Sequence, residues 1–147
     1  MSNNKNKWIW LLVGVVIFGG LGLYSYSLLP DPPRISVEPT SFDWGEIPND
    51  RPITQEFLIE NRGGQPLEIL GVTTSCGCTT ARVEAETIKP GGQTRLWVTL
   101  DPTAHDPMTG PVVRFVYIRT NDPETPEFSL ELHAALVEPK AEEGDRP

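Results

Sequence analysis

Thiols are scarce in this chain: 147 residues hold two cysteines, Cys76 and Cys78, with only Gly77 between them. So few, so close, exclude a disulfide framework or a bridge between two sheets, and any core must hold by packing. No cysteine stands near the apolar N-terminal run, which excludes a lipoprotein cleavage site there. Basic side chains are also short in number, 12 against 20 acidic. Lys5 and Lys7 precede the apolar run, so everything after it carries 10 basic against 20 acidic residues, a net −10. Such a surface repels phosphate backbones and anionic lipid, and no nucleic-acid partner is expected. The acids are scattered, which reads as solubility. No sustained helical period occurs after residue 33. Nor is there a serine–histidine–acid arrangement in recognisable context, or a glycine-rich phosphate loop before a helix. An enzyme is not expected, and no catalytic residue or cofactor-binding residue is assigned.

What the chain does have begins with Trp8 to Leu29, 22 residues without a charge. As a helix this run reaches about 33 Å, enough for a hydrocarbon core of ~30 Å. Trp8 and Trp10 at one end, and Tyr24 and Tyr26 at the other, suit the two interfacial layers. Ser25 and Ser27 make a small-x-small pattern, but the run exceeds the ~7–15 apolar residues of a signal core. A retained single-pass transmembrane helix over 8–29 is the preferred reading over a cleaved signal. Lys5 and Lys7 keep residues 1–7 cytoplasmic, so the rest is expected outside the cytoplasmic membrane. Gly14, Gly19, Gly20 and Gly22 are small residues that would let two such helices approach. A stiff proline-rich spacer at 30–33 follows, and an acidic tail at 138–147 has too few apolar side chains to fold.

Residues 34–137 read as β throughout. In FSLELHAAL, Phe128, Leu130, Leu132, Ala134 and Leu136 share one face while Ser129, Glu131 and His133 take the other. His133 is thereby a solvated histidine. TRLWVTL alternates Leu96, Val98 and Leu100, whereas VVRFVYIRT reads as apolar on both faces except for Arg114 and Arg119. ITQEFLIEN, PLEILGVTT, RISV and SFDWG supply further strands. Turn residues interrupt them at Asn61–Pro66, Pro90–Gly92, Asp101-Pro102 and Asn121–Pro123, and turn chemistry accounts for Asn61 and Asn121. Seven or eight short strands predict an all-β, immunoglobulin-like antiparallel sandwich.

FDWGEI, FLIENRGGQPLEI, SCGCTTA, IKPGG and IRTNDP occur in that order between Phe42 and Pro123. Together they resemble the bacterial domain of unknown function 1573 family, over roughly residues 34 to 137. The resemblance implies an immunoglobulin-like sandwich of the sperm-protein and cilium-associated kind, often behind an anchor or signal, and brings no activity with it. Trp44 stands where members more often carry phenylalanine.

The Cys76-Gly77-Cys78 pair admits several readings. In extended chain, residues two apart sit near the ~6.8 Å limit for bridging and point to opposite faces, so a structural staple is not expected. Gly77 relieves this if it takes a positive φ, and the bridge then closes a tiny, readily reduced ring. No Lys or His lies within several residues to favour a thiolate. A soft-metal clamp is the sharper alternative, because two thiolates select Cu(I) or zinc. Its further ligands would be His105 and Met108, in the loop DPTAHDPMTG. With immunoglobulin strand order, that loop and the cysteines gather at one pole, and the spacer joins the opposite pole, leaving the cysteines facing away from the bilayer. The favoured reading is nevertheless a bend with a structural or partner-facing role. The whole is expected to be a membrane-anchored binding or scaffolding module toward another envelope protein, through an exposed sheet edge accepting a strand. The alternative is a Cu(I)-binding or thiol-redox protein.

Overall fold

A computed structural model describes Val13, Gly14, residues 30–104 and residues 108–139. The expected membrane helix over 8–29 falls outside the described residues except for Val13 and Gly14, which are helical; the tail from 140 onward also falls outside. Among the described residues, no helix is long and apolar enough to cross a membrane.

Among the described residues, nine strands make the domain: β1 (Ile35–Val37), β2 (Ser41–Pro48), β3 (Ile53–Asn61), β4 (Leu67–Thr74), β5 (Thr79–Val83), β6 (Thr87–Ile88), β7 (Gln93–Leu100), β8 (Gly110–Thr120) and β9 (Glu127–Val137). The count exceeds the seven or eight expected. β5 follows directly on the cysteine bend, and the two residues of β6 are too few to show any period. One sheet runs β1-β3-β7-β5 and the other β2-β9-β8-β4-β6. All pairings are antiparallel except β2 with β9. The chain changes sheet between β1 and β2, where the Glu38–Pro39 bond is cis.

The period of two decides the core. Ile59, Leu96, Val98, Val116, Ile118 and Leu130 are completely buried between the sheets. Burying one Leu- or Ile-sized side chain contributes roughly 1.5–3 kcal/mol, so this interdigitated layer is the main source of stability. Phe42 meets Trp44 and Phe57 edge-on, each pair with ring centroids 5.6 Å apart. Trp44 packs against both the main cluster and a smaller one made by Ile47, Cys78, Leu100, Ala134 and Leu136. Among the described residues its Nε1 is the buried side-chain polar atom without a hydrogen-bond partner.

On β9, the inward set Leu130, Leu132, Ala134 and Leu136 is as the alternation predicts. β8 differs from its reading. Its two arginines lie on opposite faces: Arg119 is exposed, whereas Arg114 shares the inward parity of Val116 and Ile118. The sequence gives no sign of this, because both faces of β8 are apolar elsewhere.

The two ends of the sandwich are distinct. At one, the chain enters: Arg62 N donates to Arg34 O (2.8 Å), Ile35 N donates to Asp122 Oδ2 (2.9 Å), and the Arg34 guanidinium pairs with Glu124. Buried Asn61 ties this end together. Its Oδ1 accepts from Gly63 N (2.9 Å) and Arg34 N (3.3 Å), and its Nδ2 donates to Gln65 O (2.8 Å) and Ile88 O (3.0 Å). At the other end, Leu100 is the partner of both Ile53 and Thr79. Ile53 and Asn61, at the two ends of β3, are separated by roughly 27 Å at strand rise. The cysteine bend and the loop after β7 therefore share one pole, opposite the point where Pro33 and Arg34 join the domain, as the assumed strand order requires.

Candidate functional site

The 75–78 segment is a tight reversal between β4 and β5. Thr79 N donates to Cys76 O (3.3 Å), and the Thr74 hydroxyl reaches the carbonyls of Thr79 (2.8 Å) and Cys76 (3.1 Å). Ser75 is tied to β8 twice: its N donates to Phe115 O (2.9 Å), and its Oγ accepts from Phe115 N (3.0 Å). These bonds fold the backbone so that the Cα atoms of Cys76 and Cys78 come within 5.3 Å, and the two sulfurs are joined as a disulfide. This corrects the expectation drawn from extended chain: the segment is a turn, and a turn brings the two Cβ atoms to one side. It also corrects the role given to Gly77, since positive φ occurs at Gly45, Gly91 and Gly110 and not there. Side-chain and carbonyl hydrogen bonds achieve the reversal instead.

The two sulfurs are inequivalent. Cys78 is 2% exposed and packs with Ile47, Leu100 and Leu136, while Cys76 is half-buried at the rim of the same cluster. The Thr79 hydroxyl lies 3.5 Å from Cys76 Sγ and 3.8 Å from Cys78 Sγ. Asp101 N donates to Cys78 O (2.8 Å), which fastens the loop after β7 to the bend. Asp101 itself is held below the usual carboxylate range by the hydroxyl and amide of Thr103.

Of the four residues named as soft-metal ligands, three are described. Cys76 and Cys78 are bonded to each other, and Met108 packs against their cluster with its carbonyl accepting from Asn49 Nδ2 (3.1 Å). His105 falls outside the described residues. While the sulfurs are joined neither is a thiolate, so a Cu(I) site would require reduction first. The residue that sequence reasoning missed is Arg114. Its Nε donates to Cys78 Sγ (3.2 Å), its Nη2 lies 3.6 Å from Met108 Sδ, and its Nη1 donates to Val113 O (2.8 Å). The missing cation beside the thiols comes from 36 residues away, across the sheet interface. No local signal could have found it.

A second feature lies along one side of the domain. Among the described residues, β4 pairs with β6 only at Leu67 and Glu68, and β5 pairs only with β7. Between the two open edges runs a groove of about 350 Å³ lined by Ile69, Leu70, Val72, Ala81, Arg82 and Val83, among others. Leu70 is 56% exposed there.

An all-β sandwich of two sheets with this strand order, in which β2 and β9 pair in parallel, defines an immunoglobulin-like domain. The chain belongs to the family described as protein of unknown function (DUF1573), whose model matches residues 35–135. Among solved structures it is similar to a protein of unknown function from Porphyromonas gingivalis W83, at 27% identity and a TM-score of 0.65, covering 71% of this chain. The match spans about half, 47%, of the Porphyromonas protein. It is also similar to the ASH/PapD-like domain 7 of human CEP192 (10% identity, TM-score 0.57, covering 76% of this chain and 91% of that one). The YadV chaperone gives 15% identity and a TM-score of 0.53, over 76% of this chain and 54% of its own. These last two share the fold alone. No curated protein matches.

Proposed function

We propose that this protein is a binding module of the cell envelope, anchored in the cytoplasmic membrane by residues 8–29 with its sandwich outside, which receives an extended strand of another envelope protein along β5. The apolar length of residues 8–29 and the preceding Lys5 and Lys7 support the anchor and its orientation. The observation that carries the binding role is the open β4/β5 side, where an apolar groove borders the edge of β5; the outermost strands at the far edges are short or bulged. β1 has three residues, and β2 is bulged between Asp43 and Glu46 with Gly45 at φ 67°.

β5 has no such protection. Asp101 N bonds Cys78 O and Glu84 N bonds Arg95 O, which sets the ladder so that even-numbered residues of β5 face β7. The backbone groups of Ala81 and Val83 therefore face the open side. Arg82 is drawn off the edge, its guanidinium stacked 4.0 Å from the centre of the Trp97 ring. A visiting strand would find backbone partners on β5 and an apolar seat at Leu70.

The test is site-specific photo-crosslinking of the full chain in cells, with the probe at Leu70 or at the distant Leu58, which is also exposed (46% against 56%). A discrete adduct with an envelope protein from Leu70 only, lost on Ala81→Pro, is expected. Proline at this position removes an outward N–H without touching the β7 ladder. Equal adducts from both probes, or an adduct indifferent to the proline, refutes the edge.

A further inference from the structure

Arg114 stands where the pattern of β8 calls for an aliphatic side chain. Val116 and Ile118, on the same face, are completely buried. Arg114 is half-buried at the rim of the core, with its Nη1–Val113 O bond exposed, and a guanidinium so placed ordinarily pairs with a carboxylate or with water. Here, among the described residues, its contacts are two sulfurs and the Val113 carbonyl. A disulfide sulfur is a poor acceptor for a full positive charge, but a thiolate at the same place is a strong one. The bond it touches also has little structural work. A bridge across two positions restrains the unfolded chain less than one closing a long loop, and hydrogen bonds from Thr74 and Thr79 already hold the turn.

We infer that Cys76–Cys78 is an exchangeable disulfide that oxidises a dithiol protein, with Cys76 the sulfur attacked, Cys78 the leaving sulfur and Arg114 the group that receives its charge. Exposure selects the sulfur: Cys76 is at the surface of the cluster, and Cys78 is not. A thiolate of the partner forms a bond to Cys76 Sγ. The Cys76–Cys78 bond breaks, and its electron pair leaves on Cys78 Sγ beside the Arg114 Nε–H. The partner's second thiol, deprotonated by solvent, then attacks the partner sulfur of the mixed disulfide and expels Cys76 as a thiolate, which takes up a proton. The partner is oxidised by two electrons to its disulfide, and Cys76 and Cys78 are left reduced. A lower-energy leaving thiolate departs faster, so the guanidinium acts on the rate. Arg114 is a positioning and charge-stabilising residue in this step, and the Thr79 hydroxyl, within 3.5 Å of Cys76 Sγ, is placed to hydrogen-bond the second thiolate.

The full chain, purified in detergent with the bond intact, is treated with a monothiol, acid-quenched and mapped by tandem mass spectrometry. Its reduction rate with dithiothreitol is followed in parallel. The adduct is expected on Cys76. Arg114→Gln is expected to slow reduction about tenfold, the factor that ~1.4 kcal/mol of leaving-group stabilisation supplies, with Arg114→Lys recovering most of the rate. In reduced protein, thiolate absorbance should rise at lower pH with Arg114 than with glutamine, a readout that packing alone would not move. An adduct on Cys78, an unchanged rate in Arg114→Gln, or a bond inert to thiols in the folded wild type would each overturn the inference. Should Arg114→Gln fail to fold, the wild-type adduct position still decides.

Discussion

Asn61→Ala is the most incisive test of how this sandwich is closed. Asn61 has no exposed surface, and all four of its side-chain hydrogen bonds go to backbone groups: Gly63 N, Arg34 N, Gln65 O and Ile88 O. Those groups belong to the entering chain, the β3–β4 turn and the end of β6, three segments that the strand ladders join only at their ends. Each bond contributes about 1 kcal/mol net, and leaving a buried partner unpaired adds to this, so the substitution should cost about 4 kcal/mol. That is a large share of the ~5–15 kcal/mol available to a domain of this size. At roughly 4–5 °C per kcal/mol, the melting temperature should fall by about 15–20 °C. Urea unfolding followed by tryptophan fluorescence gives the free energy directly, with an unchanged slope indicating that the same surface is exposed. Asn61→Asp should be at least as damaging near neutral pH, because the Gln65 and Ile88 carbonyls would then face a carboxylate. A loss below about 1.5 kcal/mol for the alanine variant would mean that water replaces the amide. The reasoning that one buried side chain locks the β3–β4 turn to the entering chain would then fail.

Three further outcomes follow from the same physics. Burial pushes the Asp122 carboxyl up, but the backbone N–H groups of Ile35, Glu124 and Thr125, with the nearby Arg34 charge, outweigh this and hold it below its ordinary 3.8. A depressed folded value means stability that is present above the unfolded value and lost as pH falls through the folded one. Wild type should therefore destabilise more steeply below about pH 4 than Asp122→Asn, checked by thermal melts across that range. Cys76→Ala with Cys78→Ala should cost no more than ~2 kcal/mol, since the chain-entropy model gives about 1.6 kcal/mol for a three-residue loop; a chemical-denaturation loss above ~3 kcal/mol would make the bond a staple after all. Gly63→Ala would set a Cβ 2.7 Å from both Arg34 N and Pro33 Cα. The entering chain must then shift, and a loss of ~1–3 kcal/mol in a thermal melt is expected, together with easier proteolysis at residues 30–34.

Much of this architecture was legible in residue order. Alternation along β7 and β9 marked the core faces, and the turn residues marked the strand ends, because side-chain direction in a strand is a local property of the backbone. The SCGCT element and its neighbours carried the family. Asn61 was legible only as a turn residue; its amide reaches Ile88, 27 positions on, and that distance is invisible to turn chemistry. β5 and β6 were hidden for a related reason, being too short for a period and defined only by what they pair with.

The sequence by itself determined that this is an all-strand domain behind an apolar run, with two thiols in a bend at one end. Tertiary structure alone decided the state of those thiols and their company. Strand pairing joins residues that are far apart in the chain, and nothing in an apolar stretch says which parity turns inward. Only the register of β8 against β9, pairing Arg114 with Leu132, turns the guanidinium toward the core and onto Cys78. The open β4/β5 side has the same origin, since an edge is free only because no other strand has taken it.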